Sequence, residues 1–245
     1  MCKNLMDIIK NYDFFKKHII VELILLKNQG FCNFTYLLDT SIGKYIIKKF
    51  EKSLHVNKKL EFYIQMLAYK KDIGPKPILL DVKNKVYISQ YLEGFHKITL
   101  SRYDLRVLAT ALRNLHKIKI HAKPYNIERY LTKNNKLISK DLKLALLNIR
   151  KFKQDLVLCH NDLNPKNIIF ADKIRFIDWE FASINDRYFD LASIVIEFNL
   201  NKKDENSFLK YYFKKNRYNI NKIEIYKILY KHTCRIWFDK ISQKG

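Results

Sequence analysis

Acidic residues are scarce in this chain. The 24 Asp and Glu stand against 47 Lys and Arg, for a formal net charge of +23. The imbalance invites a nucleic-acid reading, but two features argue against it. The bases are mostly lysine, whereas base-edge readout favours the arginine fork, and they are spread along the chain without forming one stripe. A solvated lysine surface accounts for them, and its field gathers small anions. The 4 cysteines (Cys2, Cys32, Cys159, Cys234) lie far apart with no Cys-x-x-Cys pair, which excludes a zinc or disulfide framework and leaves reduced thiols. Glycine (5) and proline (4) are few, so no long flexible linker is expected. No apolar run nears the roughly 20 residues that span a bilayer. The longest, "IIVELILL" from Ile19, is short and carries Glu22. The opening "MCKNLMDIIKNYDFFKK" has no signal-peptide core or cleavage site. These absences predict a cytoplasmic protein with no membrane insertion.

What is present can bury a core: 245 residues, 48% of them hydrophobic and 14% aromatic, suit one large domain or two lobes. After a short leading helix, Gly30–Thr40 and Lys44–Phe50 read as two strands joined at "SIG", a hairpin. Asn57–Tyr69 carries Leu60, Ile64, Leu67 and Ala68 on one helical face. "GPKP" from Gly74 breaks the chain, and two more strands flank Asn84. From Ser101 the pattern is helical, with Leu105, Leu108, Leu112 and Leu115 in step, and the part after Asp190 is helical again. A small β-rich lobe with one helix precedes a larger helical lobe, and clefts between such lobes commonly hold ligands.

The scarce acids concentrate in one place. In "CHNDLNPKNIIFADKIRFIDWE" (Cys159 to Glu180), Asp162, Asp178 and Glu180 could face one point, and Asn167 follows Asp162 by five positions. Ile168–Phe170 and Ile174–Ile177 are short apolar runs around a polar turn, again a hairpin. Its strands lie about 5 Å apart, so Asn167 before one strand and Asp178 after the other come side by side. Both offer oxygens suited to Mg²⁺. Asp162, on a loop facing the same point, suits a group that accepts a proton from an alcohol.

"HNDLNPKN" resembles the kinase-superfamily catalytic loop, H-x-D-L-x-x-x-N, and "FIDWE" resembles its metal-binding segment. Together with "IDWEFASINDRYFDLA" they are similar to choline/ethanolamine kinases and the wider aminoglycoside phosphotransferase group. They do not resemble protein kinases: DFG and APE are missing, and the loop reads H-N-D in place of H-R-D. The likeness is strong from His160 to Glu197 and weaker from Gly30 to Gly94. It implies an α+β, two-lobed protein-kinase-like fold. Residues 1–91 would form a small antiparallel-sheet lobe with one helix that binds ATP, and residues 92–245 a larger, mainly helical lobe with the catalytic and substrate sites. The implied activity is ATP- and Mg²⁺-dependent phosphorylation of a small, cationic alcohol. Choline comes first, with ethanolamine, thiamine, an aminoglycoside or a sugar alcohol as alternatives. No nucleic-acid partner is expected, and the oligomeric state is left open.

By the same resemblance, Asp162 is the catalytic base and Asn167 and Asp178 are the Mg²⁺ ligands. Asp190 is a buried brace of the catalytic loop, with Arg187 close before it and His160 ordering the loop. Lys48 grips the ATP phosphates and Glu61 pairs with it. Side-chain alternation admits only one of Lys48 and Lys49 to the nucleotide, and similarity selects Lys48. Gln90, Tyr91 and Leu92 form the hinge over which adenine docks. "KNQGFCNFTY" covers the phosphates with a single glycine, Gly30. Glu197 faces the substrate's ammonium group, with Glu180 a further candidate. Independently, Asp190, Ile194 and Glu197 fall on one helical face, with Glu197 roughly 10 Å along the axis, about the span of a small alcohol beside the phosphates. Trp237 supplies one aromatic of a cation cage, and Cys234 stands where the family has another tryptophan.

Taken singly, these residues have plainer readings. His160 is a structural histidine, Glu180 and Glu197 are surface charges, Trp237 is core, and His116 is helix packing. A non-catalytic, basic nucleic-acid-binding protein on a kinase-like scaffold is the remaining alternative. The intact Asp162, Asn167 and Asp178 set weighs against it.

Overall fold

The computed structural model describes residues 2–27, 33–50, 57–134 and 138–242. Their contacts divide the chain into two compact units, one of Met1–Tyr69 with Gly74–Glu93 and the other of Lys70–Ile73 with Gly94–Gly245.

The first unit carries helix α1 (Cys2–Lys10) and strands β1 (Ile20–Leu25), β2 (Asn33–Thr40) and β3 (Gly43–Phe50). Helix α2 (Lys58–Lys70) and strands β4 (Pro77–Asp81) and β5 (Val86–Gln90) follow. The strands form one antiparallel sheet in the order β1-β2-β3-β5-β4. The expected β2–β3 hairpin closes through a two-residue loop, with Thr40 opposite Gly43. Gly43 has φ +138°, a region that side chains disfavour. The first apolar run, judged only by its length, is the edge strand β1, with Val21 and Ile24 left exposed.

Alternation divides β3 between two faces. Tyr45 and Ile47 enter a core with Tyr36, Leu38, Val86 and Ile88, covered by Leu5, Ile9 and Phe15. Lys48 takes the other face, directly across from Tyr87. The Tyr87 hydroxyl donates to Gln65 Oε1 of α2 at 2.8 Å, and its ring meets Phe62 edge-on at 5.8 Å. Lys48 therefore lies on the α2 face. Lys49 lies on the opposite face, where its ammonium donates to the Asn84 carbonyl in the β4–β5 turn.

The second unit is mainly helical. Helix α3 (Arg102–His116) begins at a capping box, with Ser101 and Asp104 each accepting the other's backbone N–H, at 3.2 and 2.9 Å. Its Leu105, Leu108, Leu112 and Leu115 are fully buried, and it packs on α7 (Lys202–Phe213). Helices α4 (Ile127–Asn134), α5 (Lys140–Ile149) and α6 (Arg187–Glu197) all pack on the long α8 (Ile220–Ser242).

Between α5 and α6 the chain makes two nested antiparallel ribbons. The outer pairs β6 (Leu156–Cys159) with β9 (Ser183–Asp186). The inner pairs β7 (Ile168–Phe170) with β8 (Ile174–Phe176). Gly94 passes so close to the inner ribbon that an added Cβ would lie 2.5 Å from Ile169 Cγ2 and 2.7 Å from the Phe170 carbonyl oxygen. The Phe95–Phe170 backbone bridge depends on that close approach.

Candidate active site

The nested ribbons place residues 160–167 beside residues 177–182. The outer ribbon sets Cys159 across from Ser183, and the inner one sets Ile168 across from Phe176. Side chains then stitch the two segments together. His160 Nε2 lies 3.0 Å from the Ile177 carbonyl, and the Ile177 N–H donates to the Asn167 carbonyl at 3.0 Å. Asn161 Nδ2 donates to Phe181 O and Ser183 Oγ at 2.9 and 2.8 Å, while its Oδ1 accepts from Asn185 Nδ2 at 2.8 Å. Trp179 is fully buried 4.8 Å from the His160 ring and fixes the turn at Trp179–Phe181.

Asp162 accepts Asn164 Nδ2 on Oδ1 at 3.0 Å and Asn167 Nδ2 on Oδ2 at 2.8 Å. Burial lifts its carboxyl to about 6, and the nearby Asp178 and Glu180 charges add to that rise, against the two amide donors. A carboxylate tuned towards neutrality suits proton acceptance. Asn167 commits its Nδ2 to Asp162, both to the side chain and to the carbonyl at 2.9 Å. Its Oδ1 accepts no hydrogen bond among the described residues, so the acceptor atom is the one left for a ligand. Asp178 follows β8 with φ +66°, a left-handed conformation that Asp adopts more readily than most side chains. This donor set fits a divalent cation: an amide oxygen, a carboxylate, and like charges that repel without a counter-ion.

Asp190, in the first turn of α6, is fully buried. Its Oδ2 accepts the His160 N–H and its Oδ1 the Asn161 N–H, each at 2.8 Å. Arg187 pairs with Asp155 through Nε at 2.7 Å and Nη2 at 2.8 Å, and its Nη1 donates to the Tyr212 hydroxyl at 3.1 Å. Glu197, at the far end of α6, is half-buried and accepts the Tyr230 hydroxyl of α8 at 2.8 Å. Cys234 lies one turn beyond Tyr230. Burial pushes its thiol up to about 11, against the Tyr230 hydroxyl, with the Glu197 and Asp162 charges adding to the rise. Trp237 is half-buried and stands perpendicular to Phe181 at 6.4 Å. Glu180, in the turn after Asp178, is half-buried as well.

The nucleotide-side candidates belong to the first unit. Glu61 is buried in the first turn of α2, and the Lys58 ammonium lies 2.9 Å from its Oε2. The Gln90 N–H donates to Lys76 O at 2.8 Å and the Tyr91 N–H to Lys44 O at 3.0 Å, so both extend β5 between its two neighbouring strands, with Leu92 the next residue. The phosphate-covering glycine, Gly30, lies outside the described residues. Sequence reasoning passed over Tyr230 and Tyr212. Nothing in their local sequence sets them apart, because their partners lie on other elements. His116, read as packing, in fact holds polar partners on both ring nitrogens.

A family model described as choline/ethanolamine kinase matches residues 23–232. The chain is 27% identical to the protein LicA of Haemophilus influenzae over 239 residues, covering 85% of this chain and 70% of LicA. It is 31% identical to a LicA homolog of Metamycoplasma hominis over 200 residues, covering 76% of this chain and 77% of the homolog. Among solved structures, the choline kinase LicA of Streptococcus pneumoniae superposes with a TM-score of 0.85 at 24% identity, covering 99% of this chain and 92% of that one. The protein-kinase-like α+β fold expected from the sequence is the fold observed. Among the described residues, no helix is long and apolar enough to cross a membrane.

Proposed function

This chain belongs to the choline/ethanolamine kinase family, a kinase transferring phosphate from ATP to an alcohol, and we propose that its alcohol is choline. The observation that carries this reading is the Glu197 carboxylate. It is held in place by the Tyr230 hydroxyl at 2.8 Å, on the same helix as the Asp190 brace. A fixed, half-buried anion suits a cationic group, and a proton acceptor in the same unit suits its hydroxyl. At about 4 Å one carboxylate supplies roughly 1–4 kcal/mol of attraction, depending on the effective dielectric. The dispersed lysines are screened over about 8 Å.

In this reading Asp162 orients the hydroxyl and takes its proton as the oxygen bonds the γ-phosphorus, and ADP leaves. Asn164 and Asn167 fix the rotamer of the Asp162 carboxylate, so the proton is received at a set position. Asn167 Oδ1 and Asp178 would hold Mg²⁺, which supplies charge neutralisation for the phosphates when bound. Lys48 would bind the ATP phosphates, with Glu61 orienting it, and Gln90, Tyr91 and Leu92 would receive the adenine. His160 and Arg187 support the loop. Glu180 and Trp237 would flank the substrate's cationic end. Most of the acceleration would come from positioning and electrostatics.

Ethanolamine is the second reading. Its ammonium carries N–H donors that Glu197 can accept, and Cys234 supplies no π face for a quaternary ammonium. The test is ADP release from Mg-ATP with choline, ethanolamine, thiamine, an aminoglycoside and buffer. We expect turnover with choline well above the others. Preference for ethanolamine would move the substrate and keep the mechanism. Turnover with none of them would overturn the proposal.

A further inference from the structure

The hydrogen bonds that reach Asp190 do not end there. His116 Nε2, at the end of α3, lies 3.1 Å from Asp190 Oδ2. Its Nδ1 lies 2.6 Å from the Tyr212 hydroxyl of α7, which also accepts from Arg187 Nη1 at 3.1 Å. His116, Tyr212 and Asp190 are all buried, whereas Arg187 is half-buried and clamped by Asp155.

One order of protons satisfies every partner. Arg187 can only donate, so the Tyr212 oxygen accepts from it and its O–H points to His116 Nδ1. Nδ1 then accepts, and Nε2–H donates to Asp190. Asp190 thereby receives donors from His116, His160 and Asn161. Cys159 Sγ lies within 4.8 Å of the ligand atoms of His116 and Asp190, as a buried metal site would require. However, its thiol points to the Asn185 and Asp186 carbonyls, and both His116 nitrogens are taken. The cluster is built as a brace.

We propose that Tyr212 and His116 are positioning residues for phosphoryl transfer: a directed relay, Arg187 to Tyr212 to His116, fixes the Asp190 carboxylate and through it the His160–Asp162 loop. The loop needs such a hold. Asn161, next to Asp162, has φ +66°, and its N–H is one of the two that Asp190 accepts. A carboxylate free to tilt about its own χ2 would release that N–H and let Asn161 relax, carrying Asp162 with it. His116 blocks the tilt, and Tyr212 fixes the His116 ring. The inference rests on the reading of Asp162 as proton acceptor only for its kinetic consequence. The structural relay stands apart from it.

The test is Tyr212→Phe, which keeps the ring packed 5.6 Å from His116 and removes the hydroxyl. Amide hydrogen exchange should rise by about tenfold in the peptide spanning His160 to Leu163, the size expected for one lost buried hydrogen bond, with α3 and α7 unchanged. With the productive alcohol, kcat should fall by about tenfold while both KM values stay within about twofold. Arg187→Gln should act in the same direction by about threefold, and it decides the matter if Tyr212→Phe does not fold. Unchanged loop exchange, or a rise spread equally through α3 and α7, would overturn the relay. A wild-type protein inactive on choline would instead sink the substrate reading, and the exchange result would still decide the relay.

Discussion

The two parts of the second unit to which we assign the chemistry are built in opposite ways. The catalytic stretch, residues 159–186, is continuous in sequence. It folds on itself through two short ribbons, and its polar groups bond one another or the Asp190 carboxylate behind them. The wall proposed to face the ammonium group draws on distant segments: Glu197 from the end of α6, Tyr230, Cys234 and Trp237 from α8, and Phe181 from the turn after Asp178. The first arrangement takes most of its geometry from neighbours in the chain and is held from outside through Asp190. The second depends on how two helices pack, so a single α8 position can alter selectivity while the reaction stays the same. Cys234, on α8 one turn beyond Tyr230, is such a position.

Four substitutions test that contrast. Asp178→Ala, in the continuous stretch, should lower turnover by at least about a thousandfold at fixed Mg²⁺, because the phosphates lose a bound counter-charge. Steady-state ADP release over a Mg²⁺ series checks it. Lys222→Met attacks the joint between the two parts. The Lys222 ammonium lies 2.6 Å from Asp186 Oδ2 at the end of β9, with both side chains buried. Leaving Asp186 unpaired should cost about 3 kcal/mol of stability, read by urea unfolding. Glu197→Gln should raise the KM for choline by about tenfold and leave the KM for ATP unchanged. Equal effects on both substrates would remove Glu197 from the wall. Tyr230→Phe frees the Glu197 carboxylate to turn and should raise the choline KM by about threefold, with kcat nearly unaltered.

The same contrast explains what could be read from the sequence. The Ile168–Phe170 and Ile174–Phe176 hairpin, with Asn167 and Asp178 at its ends, was legible because partners within a hairpin are neighbours in the chain. The helix carrying Leu105, Leu108, Leu112 and Leu115 was legible from its period. The outer ribbon was not. Leu156–Cys159 and Ser183–Asp186 are four residues each, too short for alternation to show, and they pair across the whole catalytic stretch. The Tyr230–Glu197 bond joins residues 33 positions apart, and the His116–Tyr212 contact joins residues 96 apart. No local pattern announces either. In the first unit, alternation allowed Lys48 or Lys49 to face the nucleotide. Register with Tyr87, and Tyr87's contacts to α2, put Lys48 on the helix side.

In this account Asp162 accepts the hydroxyl proton at a site assembled by the nested ribbons. The most direct measurement is ADP release by Asp162→Ala with choline, alongside its affinity for ATP. We predict turnover reduced by at least about a thousandfold, as for loss of a general base, with ATP affinity within about twofold of the parent. Turnover near the parent value would contradict the assignment.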